Sequence, residues 1–121
     1  MMQRNKWGRI VHITSNATRI GTGYAPYTSA KGALEGYVKV LAREVSKDGV
    51  IVSAVAPGIV HTPGRYYASL DSKEQEAYFN KYIPANRFGR AEEVAKVVSF
   101  LASQHSAYMA GSIVQIDGGA R

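Results

Sequence analysis

The sequence contains no cysteine, which excludes disulfides, thiolate metal sites and a cysteine nucleophile. It has no apolar run near the ~18–20 residues that a membrane span needs. Its opening, Met-Met-Gln-Arg-Asn-Lys-Trp-Gly, lacks the apolar core of a secretory signal. A cytoplasmic protein without membrane attachment is the expectation. Acid is missing from residues 1–31: Arg4, Lys6, Arg9, Arg19 and Lys31 precede the first carboxylate, Glu35, and hold +5 of the formal net charge of +6. Such a segment can face a phosphate-bearing partner or simply decorate a solvated turn. No dense Lys/Arg cluster, zinc-finger spacing or RNP1 pattern is present, so no nucleic-acid partner is expected. His12, His61 and His105 are scattered without accompanying carboxylates, so no metal site is expected. His12 reads as a hydrogen-bonded core or interface histidine, and Trp7 as packing beside the first strand.

What is present suits one domain of 121 residues, with 45% apolar and 20% charged side chains. Residues 9–14 read as a short strand rich in branched residues. Residues 15–25, Ser-Asn-Ala-Thr-Arg-Ile-Gly-Thr-Gly-Tyr-Ala, read as a loop. Apolar residues at 30, 33, 34, 37, 38, 41, 42 and 45 then form a helical stripe. Pro26 suits its first turn and Gly49 its end. Residues 50–56, Val-Ile-Val-Ser-Ala-Val-Ala, are nearly all apolar, as in a strand buried on both faces of a parallel sheet. Pro57-Gly58 stops that strand, and 59–70 reads as irregular. A helix is expected over 72–82, opened by Ser72 with Gln75 as its capping partner. Another is expected over about 91–103, with Val94, Val97, Val98 and Leu101 on one face, and a last strand over 112–116. The order strand, helix, strand, helices, strand implies an α/β fold with a parallel sheet. Ligands of such sheets bind beyond the carboxyl ends of the strands, so loops 15–25 and 57–70 are the ones to inspect.

Tyr27 and Lys31 stand four apart at the start of the crossover helix, on one face. An ammonium beside a phenol favours the phenolate and makes the hydroxyl a usable proton donor and acceptor. Ser15, at the end of the preceding strand, can bond the same substrate oxygen. Alone, the pair reads first as a packed tyrosine and a surface lysine; its place after a Ser at a strand end, and before a strand ending in Pro-Gly, is what adds weight.

Ile13-Thr-Ser15, Tyr27-Thr-Ser-Ala-Lys31, Pro57-Gly-Ile-Val-His-Thr62 and Asp117-Gly-Gly119, in that order, resemble the second half of a short-chain dehydrogenase/reductase, with the Tyr-x-x-x-Lys motif at its centre. The resemblance runs from about Gly8 to Gly119 and implies a Rossmann-like doubly wound sheet of about three parallel strands. It implies an NAD(P)-dependent oxidoreductase, with NAD and NADP not distinguished, acting on a small-molecule alcohol/carbonyl pair. Tyr27 would be the acid/base, Lys31 would favour its phenolate and bond the nicotinamide ribose, and Ser15 would orient the substrate oxygen. Pro57, Gly58, Ile59 and Thr62 would border the nicotinamide. Helix 26–46 and the last strand resemble subunit-contact elements, implying a homo-oligomer. Residues 63–84 resemble the substrate-binding segment, whose Tyr66, Tyr67, Tyr78, Phe79 and Tyr82 could either wall a pocket or cover the core beneath a flap.

The family's Gly-rich turn, which seats the cofactor pyrophosphate on a helix N-terminus, is not found in this sequence. Gly21-Thr-Gly23 begins such a pattern, but position 26 is Pro and the preceding strand is the wrong one. The expectation is therefore a single partial domain over 1–121, holding the chemistry and half of the nicotinamide site. Its uncovered sheet edge should make it weakly stable or prone to associate. A non-catalytic fragment that associates with itself or with a full-length subunit is the alternative.

Overall fold

A computed structural model of the chain describes residues 1–64 and 69–121. Strand β1 spans Gly8–Ile13 and strand β2 Val50–Pro57, and they pair in parallel, Gly8 beside Val50 through Ile13 beside Val55. Strand β5 (Ile113–Ile116) lies on the other side of β2, also parallel, giving the order β1-β2-β5. The central place of β2 explains its composition. Every residue from Val50 to Ala56 is buried, because helices cover both faces and neighbours take both edges.

Helix α2 (Ala25–Val45) crosses from β1 to β2. Its Val38 and Ala42 are buried against Val52 and Ala54, with Ile10, Leu41, Val45 and Ile113 around them. Other positions of the helix are less covered. Tyr37 and Val40 on the same helix remain 52% and 58% exposed. The helix ends before residue 46; a 3-10 turn continues over Ser46–Asp48, and Gly49 closes it at φ 73°. A Cβ at Gly49 would run into the Lys6 carbonyl, so only glycine fits there.

Several elements depart from the expected bounds. The loop over 15–25 contains a one-turn helix, α1 (Ala17–Ile20), closed by Gly21 at φ 67°. The irregular stretch contains β3 (Val60–His61), paired in parallel with β4 (Gly89–Arg90). Helix α3 spans Ser72–Tyr82 as expected, but Asp71 opens it rather than Ser72: Asp71 accepts from the Lys73 and Glu74 amides, and Glu74, not Gln75, returns the bond. A carboxylate one residue earlier reaches both amides, so it takes the cap. Helix α4 (Ala91–Leu101) stops two residues early, with Leu101 fully buried.

His12 is also not as expected. Its Nε2 is buried with no hydrogen-bond partner, and its ring meets Tyr37 edge-on at 5.5 Å. Trp7 is exposed, with the Arg9 guanidinium 5.3 Å from its ring centre. Among the described residues, no helix is long and apolar enough to cross a membrane.

Candidate active site

Parallel pairing puts the carboxyl ends of β1 and β2 at one level, and backbone bonds carry the alignment past the strands. The Thr14 amide donates to the Val55 carbonyl at 2.8 Å, and the Asn16 amide to the Pro57 carbonyl at 3.0 Å. Ser15 is thereby held beside the Pro57-Gly58 turn. Its residue is only 8% exposed, and its hydroxyl accepts from the Ala17 amide at 3.2 Å, which fixes the first turn of α1.

Tyr27 stands in the first turn of α2, half-exposed at 48%. Gly23, at φ 86°, lies between Tyr27 and Ala17; a Cβ there would sit 3.9 Å from the Tyr27 ring and 3.8 Å from the Ala17 methyl. Lys31 follows one helical turn later. Its ammonium lies 5.8 Å from the centre of the Tyr27 ring and donates to the Ile13 carbonyl at 2.8 Å. The helix pair and the end of β1 are thus brought together with Ser15, two residues beyond Ile13.

The Pro57–Thr62 segment divides. Gly58 donates its amide to the Ile116 carbonyl at 3.1 Å and presses on Asp117, where a Cβ would fall 2.8 Å from the Asp117 Cα and Cβ. Ile59 lines a cavity of about 110 Å³ with Val60, Arg87, Gly89, Glu93 and Asp117, a cavity to which neither Tyr27 nor Lys31 contributes. Thr62 is half-buried just beyond β3, and His61 is exposed. In that cavity wall Arg87 grips Glu93 with two bonds, 2.9 and 2.7 Å, and together with the Arg90 amide this holds the Glu93 carboxyl at about 2, below the usual 4.5.

Of the five aromatics in the 63–84 segment, Tyr66 and Tyr67 lie outside the described residues. The other three cluster on Phe88: Tyr78 meets Tyr82 at 4.9 Å and Phe88 at 6.2 Å, and Phe79 meets Phe88 at 4.7 Å. Two residues that the motifs left without a role join the site's edge. Arg19, on α1, pairs with Asp117 at 2.7 Å. Nothing local in the sequence marks Arg19, since its partner lies 98 residues away. Among the described residues, no group of His, Asp and Glu is placed to hold a metal ion.

The donor set suits a nicotinamide nucleoside. A phenol and an ammonium close together at the carboxyl edge of a parallel sheet can bond ribose hydroxyls.

The family model described as Enoyl-(Acyl carrier protein) reductase matches residues 1–121. Among curated relatives, the 3-oxoacyl-[acyl-carrier-protein] reductase FabG of Pseudomonas aeruginosa is 43% identical over 119 residues, covering 98% of this chain and 47% of the relative. The 3-oxoacyl-[acyl-carrier-protein] reductase MabA of Mycobacterium tuberculosis is 41% identical over 119 residues, with the same coverage of 98% and 47%. The (2S)-[(R)-hydroxy(phenyl)methyl]succinyl-CoA dehydrogenase subunit BbsD of Thauera aromatica is 36% identical over 118 residues, or 98% of this chain and 46% of that subunit. The chain spans about half the length of these relatives.

Proposed function

We propose that this chain, which belongs to the short-chain dehydrogenase/reductase family, carries the proton-transfer and nicotinamide-facing part of an NAD(P)-dependent oxidoreductase interconverting a carbonyl and an alcohol. One observation carries the reading: the Lys31 ammonium beside a half-exposed Tyr27, at the carboxyl end of a parallel sheet, with Ser15 held at the adjoining strand end.

Tyr27 gives its hydroxyl proton to the carbonyl oxygen in reduction and takes it back in oxidation. Ser15 accepts from the Ala17 amide, which leaves its own O–H to donate to the same oxygen. Lys31 spends one N–H on the Ile13 carbonyl, which fixes the ammonium, and keeps others for a ribose hydroxyl. Its charge stabilises the Tyr27 oxyanion once the proton has left. Pro57, Gly58, Ile59 and Thr62 border the ring, largely through backbone groups. A bound nicotinamide would supply or accept the hydride. The substrate class that fits the relatives' names is an oxoacyl or hydroxyacyl thioester. The test is loss of reduced-nicotinamide absorbance with a 3-oxoacyl thioester present. Turnover above a no-protein blank supports the reading, and its absence with both NADH and NADPH overturns it for this chain.

The second reading is a non-catalytic piece that associates with itself or with a full-length subunit. The exposed Tyr37 and Val40 of α2 favour association, as do β1 and β5 at the sheet edges. As a homo-oligomer, the chain would meet its copies through α2 and β5. Association that survives Tyr27→Phe, with no nicotinamide turnover, selects this reading.

A further inference from the structure

The carboxyl ends of the three parallel strands are closed into a ring by four links. The Asn16 amide donates to the Pro57 carbonyl at 3.0 Å, joining the end of β1 to the end of β2. The Gly58 amide donates to the Ile116 carbonyl at 3.1 Å, joining β2 to β5. Gly58 itself lies flat on Asp117. The last link returns to α1: Arg19 Nη2 donates to Asp117 Oδ2 at 2.7 Å and to the Ala120 carbonyl at 2.6 Å. The Asp117 side chain is only 7% exposed, and its other oxygen accepts from the Gly119 amide at 3.0 Å. A carboxylate so enclosed depends on its guanidinium, because a buried charge left alone is costly.

We infer that Arg19 is a positioning residue: through Asp117 it holds α1, and with it Ser15, at a fixed height against the Pro57-Gly58 turn. Ser15 sits in the loop that feeds α1, four residues before Arg19, and its hydroxyl is tied to the first amide of that helix. A four-residue helix has little stability of its own, so its place is set by what anchors its ends. One end is anchored at Pro57 and the other at Asp117. Thr18 supports the same turn from α2, donating to Glu35 at 2.7 Å. The ring stands on the geometry above, and only its use in turnover rests on the proposed function.

Arg19→Gln, Arg19→Lys and Asp117→Asn in the full chain test this by amide hydrogen exchange together with steady-state kinetics. Exchange at Asn16, Ala17 and Gly58 is expected to rise about tenfold in Arg19→Gln and Asp117→Asn, while Val52 and Ala54 in the middle of β2 stay protected. Turnover should fall about ten- to hundredfold in kcat, with the cofactor KM within about twofold, and Arg19→Lys should recover part of the loss. Unchanged exchange at the three amides overturns the clamp whether or not the chain turns over. Equal loosening at Val52 makes Arg19 a general staple of the fold and overturns positioning. Selective loosening with kcat unchanged does so too. If the parent chain shows no turnover, the proposed function fails while the exchange data still decide the clamp.

Discussion

The Lys31 ammonium lies 5.8 Å from the centre of the Tyr27 ring while donating to the Ile13 carbonyl at 2.8 Å. One side chain therefore ties the start of α2 to the end of β1. Its charge is held beside the phenol by a bond to the last residue of β1, two residues before Ser15. Ser15 and Tyr27, the two positions of the proposed site 12 residues apart in the chain, lie at the two element ends that this bond joins.

Tyr27→Phe removes the exchangeable proton and leaves the ring in place. Turnover is expected to fall by about 10²–10⁴-fold, with Tm near that of the parent. Initial rates with a 3-oxoacyl thioester, alongside a thermal melt, check this. A variant with parental kcat removes Tyr27 from the proton path.

Lys31→Met keeps the stem and loses both the charge and the bond to Ile13. Stability should drop by about 0.5–1.5 kcal/mol, the net worth of one hydrogen bond. Activity should drop by much more than that small structural loss explains. Urea denaturation and initial rates on the same sample separate the two effects.

Glu93 makes the chain's stability depend on pH. Its carboxyl is held at about 2 by Arg87 first and then by the Arg90 amide, against the usual 4.5. A depressed folded value means stability that is present above about 4.5 and is lost as pH falls toward 2. Glu93→Gln should therefore lower Tm at neutral pH, and the two proteins should converge as pH approaches 2. Melts across that range check the sign, and a constant gap would contradict it.

Gly58→Ala and Gly36→Ala should act in opposite directions. A Cβ at 58 meets Asp117 backbone and Cβ at 2.8 Å, so the turn must shift, at about 1–3 kcal/mol. A Cβ at 36 meets nothing within 4 Å, and alanine in a helix interior stabilises by about 0.5–1 kcal/mol. Chemical denaturation of both variants is the check.

The elements legible in the sequence were those with long-range pattern. β2 shows as an unbroken apolar run because it is the middle strand, and α2 shows as a stripe because one seam faces the sheet. The pairs β3–β4 and the turn α1 were not legible. Two-residue strands and a one-turn helix have no period, and they are set by tertiary bonds such as that from the Gly89 amide to the Ile59 carbonyl. Tyr27, Lys31 and Ser15 stood out through spacing and motif. Arg19 did not, because the meaning of an arginine here depends on an aspartate near the opposite end of the chain. The buried, unpartnered Nε2 of His12 was equally hidden, since alternation along a strand says which face a residue takes but not whether its polar atom finds a partner.

Tyr27, Lys31 and the Pro57-Gly58 turn are proposed to form a nicotinamide-facing surface. The most direct measurement is a fluorescence titration of the folded chain with NADH and with NADPH, repeated in the presence of ADP. A saturable signal is expected with at least one of them, in the millimolar range or tighter, and ADP, which has no nicotinamide ribose, does not displace it. A folded chain that gives no saturable signal up to about 10 mM of either would contradict it.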